Sequence, residues 1–177
     1  IVNNSDGIIL MSSSENVISE NNVTNNKYHG IGFSYSNGNL IYLNNFIGNN
    51  RHVDSWKSVN VWNSLSPLNY IYNDANFRGY MGNYWDNYTS SDIDRNGIGD
   101  IHHKIDSENF DNYPLIKPVE NYIVDMEPPT IGNPTLSPAE PVENLNVTVS
   151  VEVSDSESGV KNVTLWFRVD GGGWEFR

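Results

Sequence analysis

The chain has 177 residues and a net charge of −12, with 22 acidic residues against 10 lysines and arginines. A chain with this charge repels phosphate backbones, which argues against nucleic-acid binding. It contains no cysteine, which excludes disulfides and thiolate metal sites. No apolar run approaches the roughly 18 residues of a membrane span, so we expect none in this fragment. The chain starts at Ile1 without a signal peptide, so we expect its true N-terminus to be missing.

Asparagine is the commonest residue type, with 28 copies. So polar a composition can indicate a disordered, low-complexity chain. The chain also has 5 tryptophans, 10 tyrosines and 6 phenylalanines, and its aliphatic residues recur at regular spacing. Disordered segments are poor in these residue types. The composition therefore predicts a folded chain.

The first 50 residues contain a repeat of 23 residues. The run Gly7–Leu10 (GIIL) recurs as Gly30–Phe33 (GIGF), and Asn16–Ile18 recurs as Asn39–Ile41. A fixed period of this kind is typical of solenoid folds. Further matches in the same register are Asn21 with Asn44, Val23 with Phe46, and the column Asn3, Asn26 and Asn49.

The type of repeat follows from its short apolar runs, which Asn, Ser and Gly separate. Such runs predict β-strands between turns, because helices need longer runs with a period of about 3.6. Each repeat would be one coil of a right-handed parallel β-helix, with equivalent strands about 4.8 Å apart. Asparagines in equivalent turns would bond to one another through their side-chain amides. A leucine-rich repeat would need a leucine lattice that this sequence lacks.

The repeat fades after about residue 53, and an aromatic-rich segment follows. The end of a solenoid exposes unpaired strands and core, so it needs a cap. Residues 56–88 are expected to form this cap, with a further strand at Leu68–Tyr72. Stacking on sugar rings is the alternative role for the aromatic side chains, but cap packing is favoured. These side chains are Trp56, Trp62, Tyr70, Tyr72, Phe77, Tyr80, Tyr84, Trp85 and Tyr88.

A second module follows a linker at Asp125–Pro129 (DMEPP). Apolar and polar residues alternate over Leu145–Val153 and over part of Val163–Val169, with turn residues Asp155–Gly159 between them. This pattern predicts the first strands of an immunoglobulin-like β-sandwich, truncated because a full module needs about 100 residues. The predicted class is all-β. The predicted domains are the β-helix coils and cap (1–122), a linker (123–129) and the truncated module (130–177).

The segment Asp92–Asp100 (DIDRNGIGD) carries the sharpest chemical motif. Its alternating oxygen ligands and its glycine match the first nine places of an EF-hand-type calcium loop. The twelfth place holds His103, which excludes a true EF-hand, and Asp106 or Asp111 would complete the shell. The alternative is a solvated acidic turn. The predicted Ca²⁺ ligands, which would rigidify the cap, are Asp92, Asp94, Asn96, the carbonyl of Ile98 and Asp100.

Asp6, His29 and His52 also lie 23 residues apart. In a strict register their side chains would stack on one face, and imidazoles suit Cu²⁺ or Zn²⁺. The alternative is a polar position next to a turn glycine, which tolerates any hydrophilic residue.

Several motifs together resemble the C-terminal end of NosD-like proteins. They are the repeats, Tyr70–Tyr72 (YIY), Gly79–Met81 (GYM), Gly82–Tyr88 (GNYWDNY), the Asp92–Asp100 loop and Asp111–Leu115 (DNYPL). The resemblance covers about residues 1–122. It implies a right-handed β-helix related to repeats of carbohydrate-binding proteins and sugar hydrolases. Family members include periplasmic copper-binding proteins that assist nitrous-oxide reductase maturation, and archaeal surface proteins with appended immunoglobulin-like modules.

The appended module resembles the surface-protein branch of that family more than its copper branch. We therefore expect an extracellular, cell-surface or periplasmic location, with surface glycans or other surface proteins as partners. N-glycosylation sequons fit such a location. They lie at Asn3, Asn22, Asn87, Asn146 and Asn162.

Three functions remain open. The favoured one is a non-catalytic surface or secreted module, structural or carbohydrate-binding, stabilised by Ca²⁺. The second is a copper-binding accessory protein, and the third is a polysaccharide lyase or hydrolase with its site in missing N-terminal coils. An enzyme of that kind needs paired carboxylates on one face. Residues 1–50 hold only Asp6, Glu15 and Glu20, with Asp6 and Glu20 on different faces, so we expect no activity in this fragment.

Overall fold

The protein is all-β, as predicted. Among the residues that the structure describes, the helical residues are those of one 3₁₀ turn at Val119–Asn121. The chain divides into two compact units, Ile1–Val124 and Asp125–Arg177. The computed structural model describes residues 1–125, 129–140, 142, 146–155, 160, 162–167, 172–173 and 175–176.

The first unit consists of short strands joined by tight turns. Their lengths follow the short apolar runs between asparagines and glycines in the sequence. In chain order the strands are β1 (Ile8–Met11), β2 (Val17–Ser19), β3 (Asn22–Thr24), β4 (His29–Ser34), β5 (Leu40–Tyr42), β6 (Asn45–Ile47), β7 (Arg51–Trp56), β8 (Leu68–Tyr72), β9 (Ala75–Gly79), β10 (Tyr84–Trp85), β11 (His103–Lys104), β12 (Phe110–Asp111) and β13 (Tyr122–Asp125).

Equivalent strands stack in parallel, one repeat above the next. Strand β4 pairs with β1 and β7, β5 pairs with β2, and β6 pairs with β3 and β10. Ile8 lies opposite Ile31 and Ile18 opposite Ile41, which confirms the predicted stacking of equivalent side chains. We call the three levels layer 1 (residues 8–24), layer 2 (29–47) and layer 3 (51–85).

The chain bends between strands at residues with positive φ, and these residues also fall in columns. Glycine and asparagine adopt this left-handed conformation most readily, but Leu43 also adopts it, at φ 53°. Leu43 is buried, so packing holds it in this conformation. The columns are Ser12, Tyr35 and Lys57; Glu15 and Gly38; Glu20 and Leu43; and Asn25 and Gly48.

Layer 3 departs from the 23-residue period. Its strand β7 follows β4 with an offset of 22 residues, its Asn60 follows Asn39 with an offset of 21, and its Asn83 follows Asn44 with an offset of 39. The 23-residue period fails near residue 53, as predicted, but the expectation that the stack ends there is wrong. The repeat continues to Trp85, with an insertion between Trp62 and Asn83 that hides it from a search at fixed period.

The insertion forms a hairpin with its own small core. Strands β8 and β9 pair antiparallel, and β13 lies on the other side of β8. The predicted strand Leu68–Tyr72 is confirmed. The predicted packing of cap aromatics is confirmed for Trp62, Tyr70, Tyr72 and Trp85, whereas Trp56 is exposed. The buried residues of this small core are Leu43, Tyr70, Tyr72, Met81, Ile98, Leu115 and Tyr122.

The main core runs through the three layers and widens at layer 3. Ile18 and Ile41 are followed in their column by Trp62, and Phe46 is followed by Trp85. The rings of Phe46 and Trp85 are stacked with centroids 4.3 Å apart. Because tryptophan is much larger than isoleucine or valine, the two indoles close the aliphatic column at this end.

The second unit contains antiparallel strand pairs, as expected for the sequence alternation, within its described residues. The predicted run Leu145–Val153 contains two short strands, and the run Val163–Val169 contains one. Residues 126–128 of the predicted linker and 156–159 of the predicted turn lie outside the described residues. The strands are β14 (Thr130–Ile131) with β17 (Val153–Ser154), β15 (Thr135–Ser137) with β16 (Thr148–Ser150), and β18 (Trp166–Phe167) with β19 (Glu175–Phe176).

Candidate functional site

A ladder of hydrogen-bonded side chains connects the layers. We call it ladder A, and its members are Asn21, Asn44, Asn83 and Asp111. The backbone N–H and Nδ2 of Asn21 donate to Oδ1 of Asn44 at 3.0 and 3.2 Å. The same two groups of Asn44 donate to Oδ1 of Asn83 at 3.1 and 2.9 Å. Asn44 and Asn83 thus each accept from the preceding residue of the ladder and donate to the next one. The stacked amides satisfy one another in the buried core.

Asp111 ends ladder A. Its Oδ2 accepts hydrogen bonds from the Asn83 backbone N–H at 2.7 Å and from Trp85 Nε1 at 2.9 Å. Its Oδ1 accepts from the Tyr113 N–H at 3.1 Å. Burial raises the pKa of Asp111 to about 7, although these hydrogen bonds oppose the rise. Because Asp111 is fully buried in this ladder, it is not free to complete a calcium shell as the sequence suggests.

A second ladder, ladder B (Asn16, Asn39, Asn60 and Asn109), uses the same bonds except at its last step, where Asn60 Nδ2 is buried without a hydrogen-bond partner. Asn60 donates its backbone N–H to Asn109 Oδ1 at 2.9 Å, and Asn109 Nδ2 donates to Asp106. Burial alone would raise the pKa of Asp106, but hydrogen bonds from Ser55, Glu108 and Asn109 outweigh it and lower the pKa. Asp106 therefore also acts within the scaffold and not as a ligand of the predicted calcium loop.

The predicted calcium ligands all lie within one tight loop, but their carboxylates do not form a group of three that could hold a metal ion. Asp92 Oδ1 and Asp94 Oδ1 both accept from the Asn96 N–H, at 3.0 and 3.3 Å. Asn96 Oδ1 accepts from the Ile98 N–H at 2.7 Å, and Asp100 Oδ2 accepts from the N–H of residue 93 at 3.0 Å. The side-chain oxygens thus point to the inside of the loop, where they cap backbone donors.

Two tyrosine side chains hold this loop against the core of the hairpin. Tyr70 Oη donates to the Asn96 carbonyl at 3.0 Å, and Tyr122 Oη donates to the Gly97 carbonyl at 2.5 Å. Burial, with the negative charges of Asp94 and Asp92, raises the pKa of Tyr70 to about 12. The loop is therefore acidic and anchored by two tyrosines, and the negative charges of its aspartates act on Tyr70.

The structure brings together two members of the predicted Asp6, His29 and His52 column. Asp6 Oδ1 and His29 Nδ1 are 2.7 Å apart. In the paired strands, however, His29 lies opposite Arg51 and not opposite His52. The predicted column is therefore wrong in its third member, because layer 3 is one residue shorter at this corner.

His52 instead bonds to Asp86, with Nε2 and Oδ1 2.8 Å apart. Its Nδ1 lies 3.3 Å from Asn49 Nδ2. A side-chain amide nitrogen can only donate, so His52 Nδ1 accepts this hydrogen bond. Both ring nitrogens of His52 are therefore in use. The sequence gives no signal for Asp86, because the insertion places it 34 residues from His52.

Beside this pair lies a cleft of about 410 Å³ that also contains His103. The His103 ring stacks on Trp85, with centroids 4.7 Å apart. Burial, together with the neighbouring His52, lowers the pKa of His103 to about 4. His103 is therefore a neutral imidazole at physiological pH.

The five sequon asparagines share an exposed setting. Asn22 also accepts a hydrogen bond from Asn45 Nδ2 at 2.5 Å. Their exposure is what an N-glycosylated position requires.

A family model described as "Periplasmic copper-binding protein (NosD)" matches residues 1–90, just over half of the 177 residues. The chain belongs to the NosD family. The match covers all three layers, including the interrupted third one. No curated protein and no solved structure matches the chain.

Membership of the NosD family gives an extracellular or periplasmic location. In the described ranges, no helix is long and apolar enough to cross a membrane. Copper is the metal that the NosD description implies, so its fit to the side chains can be tested. Among the described residues, no three His, Cys, Asp or Glu side chains lie close enough to hold a metal ion. The Asp6–His29 and His52–Asp86 pairs therefore do not form a copper site of three ligands.

Proposed function

We propose that this chain is a non-catalytic scaffold module of an extracellular or periplasmic protein, with a structural or carbohydrate-binding role. Its three layers would be coils of a right-handed parallel β-helix, closed by the hairpin and the segment 103–115. Calcium bound by the loop at residues 92–100 would stiffen this closed end. The second unit would be an immunoglobulin-like module.

The observation that carries the proposal is the end of the ladders. Ladders A and B cross all three layers and finish on Asp111 and Asn109, which are buried and come from one short segment. An asparagine ladder gains most when each amide has a neighbour on both sides. The chain supplies that neighbour at the end of layer 3. This arrangement suits a stiff element more than a reaction centre.

The carboxylates of this unit support a non-catalytic role, because their hydrogen bonds are internal. Asp111 and Asp106 serve the ladders, Asp86 holds His52, and Asp54 holds Arg51 with Oδ1 and Nη1 2.8 Å apart. A glycosidase needs two carboxylates that face each other across a substrate, with pKa values set apart. These four carboxylates are used in scaffold contacts instead.

The calcium part of the proposal rests on the side-chain oxygens of Asp92, Asp94 and Asn96, which share one loop, although the carboxylates there do not converge as a group of three. Hard oxygen ligands from alternate residues are the donors that Ca²⁺ prefers. A bound ion would replace some of the loop's internal hydrogen bonds and would neutralise the acidic field beside Tyr70. The bare acidic turn is the competing interpretation.

Thermal unfolding in Ca²⁺ and in a chelator tests this part. We expect saturating Ca²⁺ to raise the Tm by about 3–6 °C, because a ligand that binds only the folded state stabilises it. Asp94→Asn should abolish the rise. Asp74→Asn, which changes an exposed aspartate in the hairpin turn, should keep it. An equal Tm in Ca²⁺ and in chelator would refute the calcium proposal.

Copper binding is a second candidate, favoured by the family description and opposed by the donor set. The same unfolding experiment with Cu²⁺ separates the two metals. The double variant His29→Ala, His52→Ala is the comparison. Copper stabilisation that this variant loses would support the copper function, and unchanged stabilisation would exclude these two histidines.

A further inference from the structure

A pocket with a volume of about 210 Å³ lies on one face of the hairpin strand β9. Residues two apart on a strand share a face, so Phe77 and Gly79 lie on the same face of β9. Tyr70 of β8 is paired with Phe77, and the two rings are stacked with centroids 5.6 Å apart. The pocket lies beside this aromatic pair, where the strand continues with a glycine.

The space next to Gly79 is open. A Cβ atom added to this residue would lie 3.9 Å from Tyr70 Oη and 4.0 Å from Tyr70 Cε1, which are ordinary van der Waals contacts. At Gly7, Gly30 and Gly82, in contrast, an added Cβ would come under 3.0 Å from another atom. Those three glycines permit close packing, whereas Gly79 leaves a gap between aromatic side chains.

Aromatic rings also line the rest of the pocket. The lining includes Tyr80 and Tyr113, whose rings are stacked with centroids 5.1 Å apart. Phe77, Tyr80 and Tyr113 are half-buried, so each keeps part of its surface accessible. Apolar rings with a few polar atoms are typical of small-molecule sites. Sites for drug-sized ligands have roughly 300–1,000 Å³, so this smaller pocket suits a single ring.

The hydroxyl groups at the pocket differ from the polar groups of the stack. In ladder A the polar side chains bond to one another. Tyr80 Oη and Tyr113 Oη, in contrast, have no hydrogen-bond partner in the part of the chain that the structure describes. Tyr70 Oη donates to a backbone carbonyl and can still accept a hydrogen bond. The pocket therefore suits a ligand that has several hydroxyl groups of its own.

The charges near the pocket favour an uncharged ligand. Arg78 lines the pocket, is exposed and forms no ion pair with a described residue, so its positive charge disfavours a bound cation. Burial, followed by the negative charges of Asp94 and Asp92, raises the pKa of Tyr70 to about 12. The same two carboxylates disfavour a bound anion. A sugar ring is uncharged, has C–H groups that pack on aromatic rings, and has several hydroxyl groups.

We propose that this pocket binds one uncharged pyranose ring of a glycan. The ring packs on Phe77 and Tyr80 beside Gly79, and its hydroxyl groups bond to the phenol oxygens of Tyr80 and Tyr113. A proline-rich peptide also packs on tyrosines, but its prolines have no N–H group and would leave these oxygens without a donor. This inference rests on the carbohydrate-binding role in the proposed function and assigns to it a site and a ligand class.

NMR titration of the full chain tests the proposal. The neutral probes are maltotriose, mannotriose and triacetylchitotriose. The comparison probes are trigalacturonate, tetramethylammonium and hexaproline. We expect at least one neutral sugar to bind and to shift the amide signals of Gly79 and Tyr80, because these residues line the pocket.

Three variants locate the site. Gly79→Val fills the pocket, because a strand accepts valine and the added side chain extends into the open space. Its Kd for the sugar should rise about tenfold or more. Tyr113→Phe removes one hydroxyl group and should raise the Kd about threefold or more. Ala75→Val is the matched control, because it adds the same residue to the same face of β9 outside the pocket, and its Kd should be unchanged.

Equal melting temperatures of the variants and the wild type would show that the titrations report binding and not unfolding. If Gly79→Val melts lower, Tyr113→Phe decides the test. A neutral sugar that binds equally well to both pocket variants would place its site elsewhere, although the carbohydrate-binding role would stand. Tighter binding of any comparison probe would refute the ligand class. If no probe binds, the inference is wrong, while the scaffold role is still judged by its own unfolding experiments.

Discussion

Layers 1 and 2 are regular, whereas layer 3 is interrupted, yet all three share the same hydrogen-bond ladders. From Asn21 to Asn44 the chain runs 23 residues, and from Asn44 to Asn83 it runs 39. The amide geometry is nevertheless almost the same at the two steps. The stack therefore conserves positions in space and not spacing in sequence. An insertion is accepted where it falls between two ladder positions.

The comparison also shows how the stack is closed. In layers 1 and 2 the core columns contain Ile18, Ile41 and Phe46, and layer 3 places Trp62 and Trp85 above them. Each indole N–H then bonds to the residue that ends a ladder: Trp62 to Asn109 at 3.0 Å and Trp85 to Asp111 at 2.9 Å. Closure of the apolar core and closure of the amide ladders thus use the same two side chains.

The largest effect is expected for Asn83→Ala, which breaks ladder A at the interrupted layer. Asn83 is fully buried and donates to the carbonyls of Ile41 and Trp62, both at 3.0 Å. Its loss would remove the acceptor of the buried Asn44 backbone N–H and the bonds that Asn83 Nδ2 donates to these two carbonyls. We expect a loss of about 3 kcal/mol or more in the free energy of unfolding, measured with urea.

Asn21→Ala is the matched control in the same ladder. Asn21 is half-buried in layer 1, where water can replace the lost contacts. Its loss should cost about 1 kcal/mol or less. Equal losses in the two variants would mean that the ladder does not depend on its closed end.

The sequence predicts layers 1 and 2 well, because the 23-residue offset alone pairs Ile8 with Ile31 and Asn21 with Asn44. It fails in layer 3 for two physical reasons. The offset between β4 and β7 is 22 residues instead of 23, so Arg51 and not His52 lies opposite His29. A column predicted from a constant 23-residue offset is therefore wrong at this position. The insertion hides Asn83, and ladder ends such as Asp111 obey no period, because they come from a segment outside the stack.

A smaller effect is expected for Asp111→Asn, which replaces the carboxylate by an isostere of its protonated form. Because burial raises the pKa of Asp111 from 3.8 to about 7, the folded state favours the protonated form. The stability that this group contributes is present below about pH 3.8 and is lost as pH rises through about 7. Between pH 6 and pH 8 the wild type should therefore lose about 1 kcal/mol that Asp111→Asn keeps.

Urea unfolding at the two pH values measures this difference. His103 has a pKa lowered to about 4, so its own contribution changes mainly below pH 6.5 and interferes little in this window. A wild type and an Asp111→Asn variant with the same pH dependence would show that Asp111 is ionised in the folded state throughout.

The stacking itself is tested most directly by NMR distances between the layers. The structure predicts backbone nuclear Overhauser effects from Ile18 to Ile41 and from Ile41 to Val61 or Trp62, because these residues lie on neighbouring parallel strands. Observation of both would place three layers in one stack across the irregular spacing. Contacts from Ile18 to Ile41 without any from Ile41 to residues 61–62 would contradict a third layer, and absence of both would contradict the stack.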